Sequence, residues 1–532
     1  MPAELSTVSE PTTPIGWLPH LWRHVLFPGL PDANARVRLL PLLFVLLLPA
    51  LLLYPSRSFH LLEPDEGRYA QIPKEMLDRG EWVVPTLQGE PYLDKPPLMY
   101  WLVKLSYQCF GVNEAAARLI PAICVHLTIL CVYLIGRRSV GERAAFWAAM
   151  LLCVAPGYIA VARLLLLDGL LTLCVTLSML CGFEAVRTGR FLRLWWVAAA
   201  VASGLGFLTK GPISEILLLP PLFVFAWLSG QAAVVRFRHV ALFASIVVAV
   251  NVPWYVAIYL REPAFLMHFF WDHNVMRFLQ PFDHLQPVWY YVPILVGGLL
   301  PGTLLFIPYV WNLLKGTQTV AMSRSPAGGF WLLAGGWCMV FFSISGSKLP
   351  TYILPAFPFL CLALGEYVAR SRWDHAWGTR GLIGGFAAMI FAAHTFAMPW
   401  YAKARSPFGD PEAIAAFVSD DTTPVVTYPR NCDSLAFYTG RSDFDRVRSK
   451  GVNDLIVEMH HRPRTVVVFT HRHSFEAFQY AMPDTLVVTE SRNFVRKPTN
   501  LFEKWLCTSP WGLIDVAVFE PARPGTARAQ KP

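Results

Sequence analysis

The sequence predicts an α-helical polytopic membrane protein, with about 11–13 transmembrane helices, extra juxtamembrane helices and a C-terminal α/β domain on the outer face. Three observations carry that prediction. The 532 residues are 55% hydrophobic and only 15% charged, where a soluble chain carries about a quarter charged residues. The apolar residues cluster in runs near the roughly 20 residues that a bilayer-spanning helix needs. Arginines and lysines recur in every second connection between those runs, as topology determinants do.

Residues 1–36 hold no apolar core and are expected to be a cytoplasmic segment. The first run, 37–55, is followed by acidic sequence without a small-residue cleavage site, so it is expected to stay as an anchor. Further spans are expected at about 116–136, 144–162, 164–184, 193–209, 212–229, 239–260, 288–314, 328–346, 350–369 and 381–400. The apolar stretch 96–111 is short, contains Lys104, and reads as a juxtamembrane or re-entrant helix. The positive-inside rule puts Arg36/Arg38, Arg137/Arg138/Arg143, Arg187/Arg190/Arg193, Arg236/Arg238, Lys315/Arg324 and Arg370/Arg372/Arg380 in the cytoplasm. Residues 37–400 are then expected to form the transmembrane domain. The outer face carries the loop from Ser56 to Ala115, Ala162/Arg163, Lys210/Gly211, the segment Arg261 to Pro287, Ser345 to Leu349 and everything after Trp400.

From Tyr401, short apolar runs (424–428, 465–470, 485–489) alternate with helical stretches (411–418, 474–480), which predicts an α/β domain on the outer face over 401–520. Residues 521–532 read as a disordered tail. The net charge of +9 sits in the topology clusters rather than in a nucleic-acid footprint. Eight of the ten cysteines lie in or beside apolar runs; Cys432 and Cys507 lie in the polar C-terminal part, where an oxidising compartment allows one disulfide.

The first outer loop reads Glu63-Pro64-Asp65-Glu66-Gly67-Arg68-Tyr69-Ala70 and then Tyr92-Leu93-Asp94-Lys95-Pro96-Pro97. A sugar-phosphate donor calls for such groups: a carboxylate to deprotonate an acceptor hydroxyl, cations for the departing phosphate, aromatic faces for sugar or lipid. Lys210 and Lys348 are isolated cations at span ends on the side where positive charge is sparse, suited to the phosphate of a membrane-borne substrate. Asp168, within a leucine run, is a lone intramembrane carboxylate that needs a partner, and Arg163 is one candidate. The segment from His268 to Phe278 adds His268, His273 and Arg277 among aromatics and reads as a gating loop. With Asp94, its histidines can help to hold a divalent metal.

Together these motifs, with Lys95-Pro96-Pro97-Leu98-Met99-Tyr100-Trp101, Leu167-Asp168, Leu208-Thr209-Lys210-Gly211-Pro212 and Lys348-Leu349-Pro350-Thr351-Tyr352, resemble the GT-C membrane glycosyltransferases that use polyprenyl-phosphate sugars. Within them, the match is to the family of the aminoarabinose transferase that modifies lipid A, related to protein O-mannosyltransferases. Gly67 departs from the threonine usual in that family. The resemblance implies an inverting glycosyltransferase of the bacterial inner membrane, with undecaprenyl phosphate as leaving group and lipid A or another envelope glycan as acceptor. By the same analogy Asp65 is the base or orients the acceptor, Arg68 and Lys95 hold the donor phosphate, and Asp94 and Asp168 shape the sugar and cation network. Glu66, Tyr69, Lys210, Arg277, Lys348 and Tyr352 complete the substrate site. Competing readings are an O-antigen or protein O-glycosyltransferase of the same fold, and a lipid or sugar transporter.

Overall fold

The computed structural model describes residues 38–522 apart from 231–233, 281–283, 315–324, 406–410, 419, 421, 472, 495–500 and 502–513. The expected cytoplasmic segment, the C-terminal tail from residue 523, Lys315, Arg324 and Cys507 lie outside the described residues.

Helices dominate. Among the described residues, five are long and apolar enough to cross a membrane: Glu114–Val140, Asp168–Val186, Phe237–Arg261, Pro326–Ile344 and Trp377–Lys403. Leu39–Leu53 and Ile213–Leu228 are apolar but shorter. A chain with several such helices is a multi-pass membrane protein. The single span expected over 288–314 is corrected to two helices, Val288–Gly298 and Gly302–Leu314, bent by 112°. Pro301 cannot supply an amide hydrogen to a continuing helix, and the glycines at 297, 298 and 302 give the turn little helical preference. The span expected over 144–162 likewise breaks after Cys153, just ahead of Pro156.

Small residues let the bundle close. Ala356–Arg370 packs on Glu142–Cys153 so tightly that a Cβ on Gly365 would lie 2.3 Å from the Ala144 carbonyl oxygen. Asp168–Val186 is the most enclosed span, with 89% of its apolar window buried. Polar residues at its ends are therefore held by protein partners instead of lipid.

The first loop begins with the helix Asp65–Asp78, whose first-turn acids Asp65 and Glu66 suit the positive end of the helix dipole. A two-residue hairpin, β1 (Thr86–Leu87) with β2 (Glu90–Pro91), follows, then the juxtamembrane helix Leu98–Phe110. Arg118 clamps this loop, donating to the carbonyls of Arg57, Phe59 and His60 at 2.8, 2.5 and 3.1 Å. Arg163 does the same for Leu53, Pro55 and Ser56, so it is not the partner of Asp168.

The C-terminal part is built on a five-stranded sheet of β3 (Val425–Tyr428), β4 (Asp445–Arg446), β5 (Thr465–Phe469), β6 (Leu486–Asn493) and β7 (Asp515–Pro521), in the order β4-β3-β5-β7-β6. Strand β3 runs parallel to β4 and β5, and β7 is antiparallel to β5 and β6. Cys432 is buried in its core. The helix Asp433–Thr439 docks on the first loop: the Ser434 amide donates to Glu63 Oε1 at 2.6 Å, and Lys74 Nζ to the Phe437 carbonyl at 3.1 Å. Gly67 is the close-approach point, because a Cβ there would lie 2.5 Å from both Glu63 Oε1 and the Ser434 nitrogen.

Candidate active site

Asp168 opens its helix and Lys210 closes the next one. Each charge thus sits at the helix end whose dipole favours it, and the two meet in an ion pair of 2.7 Å, Nζ to Oδ1. The Lys210 ammonium also lies 4.5 Å from the centre of the Tyr352 ring, a cation–π contact that keeps a partly desolvated cation in place. Gly211, at φ +86°, ends the Lys210 helix in a conformation that L side chains rarely adopt.

Lys95 comes from the first loop. Its ammonium donates to the Asp94 carbonyl at 3.2 Å and hydrogen bonds His273 Nε2. Burial, then the cations Lys210 and Arg277, push the Lys95 ammonium down to about 7, although Asp94 opposes them. Burial and the facing Lys95 likewise lower His273 to about 3, so it is neutral and accepts hydrogen bonds from Lys95 and, at 3.3 Å, from Arg277. Burial works against ionisation of Asp94, but hydrogen bonds from His268 and Tyr92 and the charge of Lys95 hold its carboxyl below the usual range. The His268 Nε2 to Asp94 Oδ1 distance is 3.1 Å.

The segment expected as a gating loop is instead helical, and from Met267 to Met276 it is wound as a π-helix. That winding matters for the site. At the ~100° per residue of an α-helix, positions five apart diverge by roughly 140°, whereas i to i+5 hydrogen bonding aligns them. His268 and His273 therefore share a side, their ring centres 6.3 Å apart.

These residues converge on a cavity of about 390 Å³. Its polar rim is Lys95, Asp168, Lys210, His273, Arg277 and Tyr352; its apolar wall includes Ile213, Ile216, Phe341 and Phe342. Three clustered cations beside an apolar wall can hold a phosphate joined to a hydrocarbon chain. Ligand atoms of Asp94, His268 and His273 lie within 4.8 Å of one another. That set fits a zinc-like ion with three protein ligands and one open position. Ligation by His273 Nε2 would compete with its hydrogen bonds to Lys95 and Arg277.

Other sequence-predicted residues lie elsewhere. Glu66 is buried and saturated: it takes a bidentate pair from Arg118 at 2.8 and 2.7 Å and the amides of Leu165 and Leu62 at 2.8 and 2.9 Å. It holds the loop and has no capacity left for a substrate, which corrects its expected role. Lys348 is not itself a lining residue: its ammonium binds the carbonyls of Gln286 (2.9 Å) and of Ser345, which does line the cavity, and so ties two loops together at its edge. Tyr69 packs with Ile72, Met76 and Tyr100. Arg68 pairs with Asp433 Oδ2 at 3.5 Å and lines a second crevice. Asp65 is half-buried, within electrostatic reach of Arg68 and Tyr69, and is not among the lining residues of the first cavity.

Sequence reasoning missed Tyr92, which hydrogen bonds both Arg68 and Asp94 and so links the two halves of the first loop. Its place two residues before Asp94 was the available signal. Asp433 had none, since its partner Arg68 is hundreds of residues away in the chain.

Gly211→Ala tests how the helix end sets this geometry. A Cβ there would lie 2.7 Å from the Phe269 ring, and the backbone at φ 86°, ψ −156°, a region essentially confined to glycine, adds about 1–3 kcal/mol of strain. The expected result is a shifted His273–Arg277 segment and a lower melting temperature, read by differential scanning fluorimetry of the purified protein.

The model for the dolichyl-phosphate-mannose-protein mannosyltransferase family matches residues 94–257, which include Asp94, Lys95, Asp168 and Lys210. An undecaprenyl phosphate-α-4-amino-4-deoxy-L-arabinose arabinosyl transferase of Pseudomonas fluorescens is 37% identical over 321 residues, 59% of this chain and 53% of the relative. One from Sodalis glossinidius is 35% identical over 368 residues, 65% of this chain and 63% of the relative. The match thus spans less than two thirds of the length of either relative. In fold, the crystal structure of ArnT from Cupriavidus metallidurans bound to undecaprenyl phosphate superposes with a TM-score of 0.71 at 22% identity, covering 89% of this chain and 97% of that one. This chain therefore has the GT-C fold of that structure and is similar in sequence to the undecaprenyl phosphate-dependent aminoarabinose transferases.

Proposed function

We propose that the chain is an inverting glycosyltransferase that moves a sugar, aminoarabinose or a related one, from undecaprenyl phosphate to lipid A or another envelope glycan. The observation that carries the reading is the convergence of Lys95, Lys210 and Arg277 on one apolar-walled cavity. The cations hold the donor phosphate, and the wall of Ile213, Ile216, Phe341 and Phe342 takes the first isoprene units. By the family resemblance, rather than by its place in this cavity, Asp65 accepts the acceptor's proton as the acceptor oxygen bonds to the anomeric carbon. The bond from that carbon to the phosphate oxygen breaks in the same displacement, and undecaprenyl phosphate leaves with the electron pair, neutralised by the cations. Attack opposite the leaving group inverts the centre. Asp168 sets the position of Lys210. Asp94 and His268 anchor the His273–Arg277 segment over the cavity, and no step here needs a metal.

In this reading residues 37–400 are the catalytic membrane domain and 401–520 an α/β domain in the periplasm. The N-terminus is cytoplasmic and the membrane is the bacterial inner one. The test is a transfer assay with purified enzyme and labelled undecaprenyl-phosphate sugar, offered lipid A, O-antigen or a peptide. Label in lipid A supports the proposal, and transfer to peptide alone overturns the glycan acceptor.

The depressed Lys95 gives a pH signature. Below about pH 7 it is protonated and pairs with phosphate; above that, each binding event must first take up a proton. The affinity for undecaprenyl phosphate should fall up to about tenfold per pH unit above neutrality. Lys95→Arg, charged throughout this range, should flatten the profile in a titration between pH 6 and 9.

A further inference from the structure

The docking of the C-terminal sheet on the first loop encloses a second crevice of about 550 Å³. Its floor follows from the sheet topology. Strands β3, β4 and β5 are parallel, and the residues just beyond their carboxyl ends line the crevice: Arg430 and Asn431 after β3, Arg448 and Lys450 after β4, Thr470 after β5. Open parallel sheets take their ligands at this edge. The opposite wall is Glu63, Pro64 and Arg68 from the first loop, with Asp433 at the junction.

The chemistry is that of an anion site. Four cations, Arg68, Arg430, Arg448 and Lys450, face two acids. Asp433 is already engaged by Arg68 and by Gln88 Nε2 at 3.2 Å. Glu63 accepts from the Ser434 amide through Oε1, while its buried Oε2 has no partner among the described residues. Burial, then the charge of Asp433, raise that carboxyl to about 8. At neutral pH it is therefore mostly protonated and presents a donor. Arg448 and Lys450 are exposed, with no acidic partner within 4.0 Å among the described residues. The Thr470 hydroxyl fixes the turn, accepting from the Arg430 amide at 3.0 Å and donating to the Arg430 carbonyl at 2.8 Å.

The lining has no aromatic or aliphatic wall beyond two prolines, so it does not suit a lipid tail. Its volume is within the range of small-molecule sites and leaves room for a sugar ring beside a phosphate. We propose that this crevice binds the phosphate monoester of a phosphorylated sugar, with Arg430, Arg448 and Lys450 on the phosphate and Glu63 and Asn431 on the ring hydroxyls. If the transfer reading above holds, that sugar belongs to the acceptor. Arg68 would then connect the two sites, since it lines the crevice and hydrogen bonds Tyr92, which in turn bonds Asp94 beside Lys95.

The test uses the full chain in detergent, titrated calorimetrically with glucosamine 6-phosphate, glucosamine and inorganic phosphate, and separately with undecaprenyl phosphate. The expected result is saturable binding of the sugar phosphate, none of glucosamine, and weaker binding of inorganic phosphate. The exposed double variant Arg448→Ala/Lys450→Ala should bind glucosamine 6-phosphate at least tenfold more weakly and undecaprenyl phosphate as tightly as before. Equal sugar-phosphate affinity in both proteins, or no saturable binding, overturns the proposal. Equal affinity for inorganic phosphate and the sugar phosphate overturns the sugar part. Parallel loss of undecaprenyl phosphate binding in the variant overturns the assignment to this crevice. The wild-type titration with undecaprenyl phosphate reports on the transfer reading by itself, so the two can fail separately.

Discussion

Lys95→Ala is expected to lower sugar transfer by about 100- to 1,000-fold, the loss that follows removal of one preorganised charge stabiliser from a leaving group or oxyanion. Lys95 meets Lys210, Arg277 and His273 in the cavity lining and is the only one of its three cations brought by the first loop. Its removal leaves the cavity lining with two cations, Lys210 and Arg277, and frees His273 Nε2 to bind Arg277 alone. Burying an ammonium is costly in itself, so the variant should melt at the same temperature as the wild type or above it. Initial-rate assays with labelled donor, beside thermal melts in detergent, check both halves. Transfer within a fewfold of wild type would refute the proposed phosphate site.

Glu66→Ala is expected to behave in the opposite way. The Arg118 side chain is fully buried, Glu66 is 2% exposed, and they form a bidentate pair. Removing one partner of such a pair strands the other charge, at a cost of about 3–5 kcal/mol. Arg118 also clamps the carbonyls of Arg57, Phe59 and His60, so the start of the first loop should loosen with it. The expected outcome is a marked drop in melting temperature and loss of activity, with Glu66→Gln intermediate because the amide keeps one acceptor. If Glu66 were a substrate ligand, melting would be unchanged and only KM would rise. Differential scanning fluorimetry beside the transfer assay separates the two.

The two variants come from one motif-rich loop, and sequence spacing could not tell their roles apart. Glu66 and Lys95 both read as polar groups near a membrane surface. What distinguishes them is the partner: Arg118 saturates Glu66, while Lys95 faces a cavity. Lys348 shows the same limit, since a lone cation at a span end reads alike whether it meets phosphate or, as here, loop carbonyls. Asp168 was easier. A carboxylate inside a leucine run must have a partner, but which cation supplies it, Lys210 or Arg163, depended on how two helix ends meet.

Composition and run length by themselves determined that this chain is helical and membrane-embedded, because the bilayer allows few solutions to the hydrogen-bonding needs of a buried backbone. The order of its short motifs also pointed to polyprenyl-phosphate chemistry. Only the tertiary structure decided which charges face a cavity and which are spent on carbonyls, and it alone broke the expected span at Pro301. It alone wound Met267–Met276 so that His268 and His273 share a face, and brought Asp433 to Arg68. The physical reason is range. Hydropathy acts within a segment and survives in one dimension, whereas the partner of a buried charge is chosen by packing between segments far apart in the chain.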